Sequence, residues 1–150
     1  MTKFVKPRGN VEYTELGYEA GIKAMLDAHI NYDDVDAAVA GFMYSDSCSG
    51  QRVMYQFGST GIPIYNVNNN CATGSTGLYL GRNLVKVGMA DCVLVVGFET
   101  MKPGKPGRTF HDRPDPIGPS AKLVAAHPLG SESSPMLKFF GNAGREYMQK

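Results

Sequence analysis

The fold is decided by residues 64–81, which read Ile64-Tyr-Asn-Val-Asn-Asn-Asn-Cys71-Ala-Thr-Gly74-Ser-Thr-Gly77-Leu-Tyr-Leu-Gly81. This stretch predicts a short strand, an abrupt turn of three asparagines, one cysteine, and then a helix that runs to about residue 87. Cys71 therefore falls where a strand ends and a helix begins. Glycines at three- and four-residue spacing leave one helix face nearly bare, which predicts very close packing against another element.

The position of Cys71 favours a nucleophilic role. The first turn of a helix has backbone N–H groups without intrahelical partners, and the helix dipole adds partial positive charge there. A thiolate at that point is stabilised, and a sharp strand-to-helix turn presents the side chain as a nucleophile elbow does. We expect Thr73 and Ser75 to help satisfy the unpaired donors. The alternative is a buried structural cysteine, since cysteine often packs as a small apolar residue.

Length and composition describe one globular domain or a part of a larger protein. The 150 residues are 43% hydrophobic and 19% charged, with a formal net charge of +1, so we expect no nucleic-acid partner, and composition offers no argument for an anionic membrane. No apolar run approaches the roughly 18 residues of a membrane span, which indicates a soluble intracellular protein. The separated cysteines Cys48, Cys71 and Cys92 argue against a disulfide framework and against a zinc site, so we expect no metal.

Helical patterns alternate with apolar runs along the first hundred residues. They predict a helix over 11–29 capped by Asn10, a strand over 37–44, a short helix over 51–57, the strand and helix around Cys71, and a strand over 92–98. This alternation predicts an α/β layered fold with a largely parallel sheet. We expect the helix over 72–87 to be buried around much of its circumference.

The composition changes after Met101. Residues 102–135 are rich in proline and glycine, and only a short helical turn near 121–126 fits there. Such a tract is typical of a lid or a binding excursion. Residues 136–149 again carry a helical pattern. The cations of the tract are either solvated or in contact with the phosphates of an anionic ligand. These cations are Lys102, Lys105, Arg108, Arg113 and Lys122.

Three histidines could act with Cys71. His29 lies near a predicted helix end and His111 in a polar loop, where both are expected to be surface residues. His127 precedes a proline that fixes a turn and could present its imidazole, but sequence spacing alone does not show that it reaches Cys71. Glu99, just past an apolar strand, either caps the strand end or forms hydrogen bonds within the floor of an active site.

Several segments resemble the thiolase family. The segment Asn66-Val-Asn-Asn-Asn-Cys71-Ala-Thr-Gly74-Ser is similar to the nucleophile segment of thiolases. The segment Gly97-Phe-Glu99-Thr-Met101 is similar to the G-x-E-x-M segment that follows the next strand in that family. Further segments resemble the sterol-carrier branch of the family, in order along nearly all of the chain: Met1-Thr-Lys-Phe-Val-Lys-Pro7, Gly50-Gln-Arg52, Gly61-Ile-Pro63 and Phe140-Gly-Asn-Ala-Gly144-Arg-Glu146.

The resemblance implies the N-terminal half of a five-layered αβαβα fold made of two similar halves, plus part of its loop excursion. Residues 1–101 would then be the N-terminal core with a truncated first strand. Residues 102–150 would begin the excursion that covers the acyl-CoA site. The resemblance also implies a homodimer of the full-length protein, in which the strand before Cys71 pairs across the interface.

The implied activity is that of an acyl-CoA thiolase of fatty-acid β-oxidation: a 3-oxoacyl-CoA and CoA give an acyl-CoA and acetyl-CoA or propanoyl-CoA. Cys71 would carry the acyl group, and CoA would be a co-substrate rather than a bound cofactor. The family's catalytic His and second Cys lie in the other half, so we expect this chain alone to be inactive. The implied location is peroxisomal in a eukaryote and cytoplasmic otherwise. The alternatives are a ketoacyl-synthase-type condensing enzyme and a non-catalytic lipid-binding or interaction fragment.

Overall fold

The computed structural model describes residues 1–3, 11–101, 110–126 and 135–150. The chain divides into two compact units, Met1–Met101 and Lys102–Lys150. The first unit contains α1 (Tyr13–Ala28), β1 (Ala37–Gly41), α2 (Ser49–Met54), β2 (Ile64–Val67), α3 (Thr73–Lys86) and β3 (Val93–Gly97), and the second contains α4 (Gly118–Ala125) and α5 (Pro135–Met148). The predicted alternation of helices and strands is confirmed.

The three strands form one parallel sheet in the order β2-β1-β3. β1 is the central strand and all of its residues are buried; its Val39 pairs with Tyr65 on one side and with Val95 on the other. This confirms the predicted α/β fold with a parallel sheet. The chain passes from β1 to one edge and then crosses to the other, so the strand order switches between β1 and β3. In open parallel sheets, ligands bind beyond the carboxyl ends of the strands at such a switch point.

Helices cover both faces of this sheet. α1 and α2 lie on one face, where the side chains of Val53 and Met54 are completely buried. α1 approaches closely because it carries glycines: a Cβ on Gly17 would stand 2.7 Å from Val53 Cγ1. Stacked rings of Tyr13, Phe98 and Phe42 extend this core toward the carboxyl ends of β1 and β3.

α3 packs on the opposite face through its own glycines. A Cβ on Gly81 would stand 2.7 Å from Val95 Cγ2, and one on Gly77 would stand 3.3 Å from Val95 Cγ1. The predicted close packing is therefore confirmed at these two positions. The prediction that this helix is buried around much of its circumference is wrong, because only one face meets the sheet. Leu78 and Tyr79, on another side, are 67% and 62% exposed.

Several predicted boundaries differ from the observed ones; β1, for example, ends at Gly41 rather than at residue 44. α1 has Glu12 at its N-cap, without a capping hydrogen bond from the side chain, while Asn10 lies outside the described residues. α2 begins two residues earlier than predicted. Cys48 turns the chain with a φ of 65°, and the Ser49 hydroxyl donates to the Asp46 carbonyl at 2.6 Å, so the helix starts directly after this turn.

The second unit is helical where it is described. The short turn predicted near 121–126 is a longer helix, α4, because Pro119 lies in its first turn, where a missing N–H is tolerated. α5 confirms the helical pattern predicted for 136–149. No described helix has the length and hydropathy needed to cross a membrane.

Candidate active site

Cys71 lies beyond the carboxyl end of β2, between that strand and α3. A single 3-10 turn, Asn70–Ala72, separates the strand from the helix, and Cys71 is its middle residue. The side chain is exposed and forms no disulfide. The structure thus confirms the strand-to-helix position of Cys71 and does not support a buried structural cysteine.

The asparagines before Cys71 build the turn, and we call residues 68–73 the Cys71 turn. Asn70 has a φ of 47°, a left-handed conformation that asparagine tolerates better than most residues. The side chain of Asn68 holds this conformation from both of its ends. Its Oδ1 accepts from the Asn70 N–H at 3.2 Å, and its Nδ2 donates to the Met43 carbonyl at 3.1 Å.

Thr73 closes the turn from the helix side. Its Oγ1 accepts from the Asn69 N–H at 2.9 Å and donates to the Asn70 carbonyl at 2.6 Å. Thr73 therefore satisfies a donor of the turn before the helix, not one of the first-turn donors that the expectation concerned. The same expectation for Ser75 is wrong, because its hydroxyl donates to the Ala72 carbonyl at 3.0 Å. The Cys71 N–H has no acceptor among the described residues.

Glu99 joins the loops that follow β1 and β3. Its Oε2 accepts from the N–H groups of Met43 and Tyr44 at 2.7 and 3.0 Å. Its Oε1 accepts from the Thr100 N–H at 2.9 Å. Glu99 therefore caps the end of its own strand and also fixes the backbone across the β1/β3 switch point, beside the loop that contacts the Cys71 turn.

A similar carboxylate bridge exists at the amino ends of the same two strands, and sequence reasoning missed it. Asp36 Oδ2 accepts from the N–H groups of Asp91 and Cys92 at 2.8 and 2.9 Å. Cys92 is half-buried, and burial, followed by the negative charges of Asp36 and Asp34, raises the pKa of its thiol. Cys92 is therefore a poor nucleophile at neutral pH. A carboxylate directly before a buried strand is the signal that could have indicated this bridge.

His29, the described histidine of the first unit, does not lie beside Cys71. His29 ends α1 in a left-handed conformation with a φ of 56°. It precedes β1, so it lies toward the amino ends of the strands, whereas Cys71 lies beyond their carboxyl ends. His111 is an exposed residue of the second unit. The predicted candidate His127 lies outside the described residues.

The predicted basic tract is only partly described. Lys102, Lys105 and Arg108 lie outside the described residues. Arg113 pairs with Asp112 through two hydrogen bonds of 3.0 Å, lies over the Phe110 ring, and lowers the pKa of the Asp112 carboxyl. Among the described parts of the chain, no group of three or more His, Cys, Asp and Glu side chains is placed to hold a metal ion.

The chain is similar to known proteins over its full length. The family model of the thiolase N-terminal domain matches residues 1–113. Sterol carrier protein 2 of Gallus gallus is 49% identical over 153 residues, and that of Homo sapiens is 46% identical over 159 residues. Each alignment covers 100% of this chain and 28% of the relative, so the chain spans just over a quarter of the length of these proteins.

A solved structure shares the fold. It is 3-oxoacyl-[acyl-carrier-protein] synthase III from Aquifex aeolicus, with a TM-score of 0.57 and 19% sequence identity over 60% of this chain and 30% of that protein. The Cys71 turn and the Glu99 bridge both lie inside the region that the family model matches. From this match and the full-length similarity to sterol carrier protein 2, the chain belongs to the thiolase family.

Proposed function

We propose that this chain supplies the nucleophilic cysteine of an acyl-CoA thiolase, which cleaves a 3-oxoacyl-CoA with CoA in lipid metabolism. The observation that carries the proposal is the exposed thiol of Cys71 at a strand-to-helix turn beyond the carboxyl ends of a parallel sheet. Cys92 is half-buried with a raised pKa. Membership of the thiolase family supports the same reading.

The reaction proceeds through an acyl-cysteine. Cys71 Sγ attacks the 3-keto carbon, and the bond between C2 and C3 breaks. The C2 carbanion takes a proton and leaves as acetyl-CoA, or as propanoyl-CoA from a 2-methyl-branched substrate. The thiol of CoA then attacks the acyl-cysteine, and the Cys71 thiol is regenerated. Dividing the reaction into two transfers is nucleophilic catalysis and predicts ping-pong kinetics.

The Cys71 turn offers one further group to this chemistry. The N–H of Cys71, without an acceptor among the described residues, can donate to the oxyanion that forms when Sγ attacks the 3-keto carbon, and again when CoA attacks the carbonyl carbon of the acyl-cysteine. The proton transfers need a base and an acid. Because His29 lies toward the opposite ends of the strands, and the family's catalytic His and second Cys lie in its other half, we infer that these residues come from the other half of the full-length protein. The chain alone is therefore expected to be inactive.

The remaining features of the proposal follow from family membership. We propose that the full-length protein is a homodimer, that acyl-CoA and CoA are its ligands, and that residues 102–150 begin the excursion over the acyl-CoA site. The similarity to eukaryotic sterol carrier proteins favours a peroxisomal location.

The second candidate is a ketoacyl-synthase-type condensing enzyme, because a 3-oxoacyl-[acyl-carrier-protein] synthase III shares the fold. The two classes differ in the other half of the protein, where thiolases carry a second Cys and ketoacyl synthases carry two His or a His and an Asn. A non-catalytic lipid-binding or interaction role is the remaining alternative.

The test compares the full-length protein with its Cys71→Ala variant, with Cys48→Ala as the matched exposed-cysteine control. Each is assayed for CoA-dependent cleavage of a 3-oxoacyl-CoA and for condensation of an acyl-CoA with malonyl-acyl carrier protein. We expect Cys71→Ala to reduce cleavage by roughly a thousandfold or more and Cys48→Ala to retain most of it. Equal cleavage by wild type and Cys71→Ala would remove the thiolase proposal, and condensation without cleavage would favour the second candidate.

A further inference from the structure

We propose that Glu99 is a positioning residue for Cys71 and acts through Met43 and Asn68. This inference rests on the proposed role of Cys71 as the nucleophile. Glu99 follows β3, Met43 follows β1 and Asn68 follows β2. The three residues thus connect the carboxyl ends of all three strands in a single line of hydrogen bonds that ends one residue before Cys71.

The first link joins β3 to the loop after β1. One carboxylate oxygen of Glu99 accepts both the Met43 and the Tyr44 N–H, and the other oxygen accepts the Thr100 N–H. Hydrogen bonds to an ionised group are shorter and stronger than those between neutral groups. The partners of Oε2 lie more than fifty residues away along the chain, so the link fixes the loop relative to β3 rather than completing a local turn.

The second link joins that loop to the Cys71 turn. The Met43 residue whose N–H is held by Glu99 offers its carbonyl to Asn68 Nδ2, and the same amide group accepts the Asn70 N–H through Oδ1. Asn70 has a φ of 47°. Asparagine tolerates this conformation better than most residues, and the hydrogen bond from the Asn70 N–H to Asn68 Oδ1 stabilises it. Asn68 is the residue that connects Asn70 by hydrogen bonds to the loop after β1.

The chain contains its own control for this inference. Asp36 bridges the start of β1 to the N–H groups of Asp91 and Cys92 at the start of β3, just as Glu99 bridges their ends. Both carboxylates accept two successive backbone N–H groups with one oxygen. Only Glu99 is connected to the Cys71 turn. Replacement of either carboxylate by its amide should therefore affect a different cysteine.

The test measures alkylation of each cysteine by iodoacetamide across a pH series, on the full chain, with peptide mass spectrometry as the readout. We expect Glu99→Gln to slow the alkylation of Cys71 by about three- to tenfold at pH 7 and to leave the alkylation rate of Cys92 unchanged. Asp36→Asn should accelerate the alkylation of Cys92 and leave the alkylation rate of Cys71 unchanged. An equal slowing of Cys71 by Asp36→Asn would show a general loss of structure and overturn the proposal.

Asn68→Ala tests the route, because it removes both amide links at an exposed position without changing the charge. We expect Asn68→Ala to slow the alkylation of Cys71. In the double variant with Glu99→Gln, we expect no further slowing. Full additivity of the two changes would overturn the route. If Glu99→Gln does not fold, Asn68→Ala is sufficient by itself: an unchanged rate of Cys71 alkylation in this variant would overturn the proposal.

The two proposals fail in different ways. If iodoacetamide alkylates Cys71 of the folded wild type no faster than Cys71 of the urea-unfolded chain, both the proposed nucleophile and the Glu99 inference are wrong. If Cys71 is alkylated rapidly in the wild type and equally rapidly in Glu99→Gln, Glu99 has no positioning role, and the proposed nucleophile stands.

Discussion

Gly41, the last residue of β1, lies directly against Thr73, the first residue of α3: a Cβ on Gly41 would stand 2.9 Å from Thr73 Cγ2. The central strand thus ends in contact with the helix that begins two residues after Cys71. Since Thr73 Oγ1 bonds to Asn69 and Asn70, any shift of Thr73 is transmitted to the Cys71 turn.

Gly41→Ala tests this contact. Overpacking at the end of a buried strand should cost about 1–3 kcal/mol in the free energy of unfolding, measured by urea denaturation. It should also slow alkylation of Cys71. Thr73→Ser removes Cγ2 and keeps the hydroxyl with its two hydrogen bonds, so the double variant should recover most of both losses. If Thr73→Ser gives no recovery, the contact with Gly41 is not the cause.

The glycines of α3 give a second prediction, with a matched control inside the helix. Gly81→Ala would place its Cβ 2.7 Å from Val95 Cγ2. The β-branched valine has little freedom to move away, so we expect a loss of about 1–3 kcal/mol in stability. Gly74→Ala meets nothing within 4 Å and should gain roughly 0.5–1 kcal/mol, because alanine favours a helix over glycine. Equal effects of the two substitutions in urea denaturation would contradict the observed packing of α3.

Cys92 makes stability depend on pH. Burial and the charges of Asp36 and Asp34 raise the pKa of Cys92 above its ordinary value, so the unfolded thiol ionises at a lower pH than the folded one. The stabilisation is fully present below the unfolded pKa, near 8.5, and is lost as the pH rises through the folded pKa. The melting temperature should therefore fall on going from pH 8 to pH 10.

Cys92→Ala is the control for this pH dependence. It should flatten the decline up to about pH 10, where Tyr32 begins to contribute with the same sign because burial raises its pKa. An unchanged decline in the melting temperature of Cys92→Ala would assign the effect to other groups.

Local patterns were sufficient to predict the elements and the position of Cys71 between a strand and a helix. The run over 37–44 indicated a strand covered on both faces because it had no polar alternation, and β1 is buried throughout. The glycine spacing indicated a packed helix face, and Gly77 and Gly81 meet the sheet. These features depend on residues that are neighbours in sequence, which a single sequence displays directly.

The tertiary hydrogen bonds could not be predicted in the same way. The Glu99 and Asp36 bridges join residues 55 or 56 positions apart, and a carboxylate at the end of a buried strand does not by itself show which distant N–H groups it accepts. The exposure of Leu78 and Tyr79 was not predicted. An apolar helix surface indicates that some element packs on it, but it does not show whether that element belongs to the described residues. The 3-10 turn around Cys71 depends on Asn68 and Thr73 acting from both sides.

The most direct test of the account is the mass of Cys71 after contact with substrate. The full-length protein is mixed with a 3-oxoacyl-CoA in the absence of CoA, quenched in acid and digested, and the masses of its cysteine peptides are measured. We predict an acyl group on the Cys71 peptide that is lost when CoA is added, with Cys48 and Cys92 unmodified. An acyl group on another cysteine, or CoA-dependent cleavage with Cys71 unmodified throughout, would contradict the account.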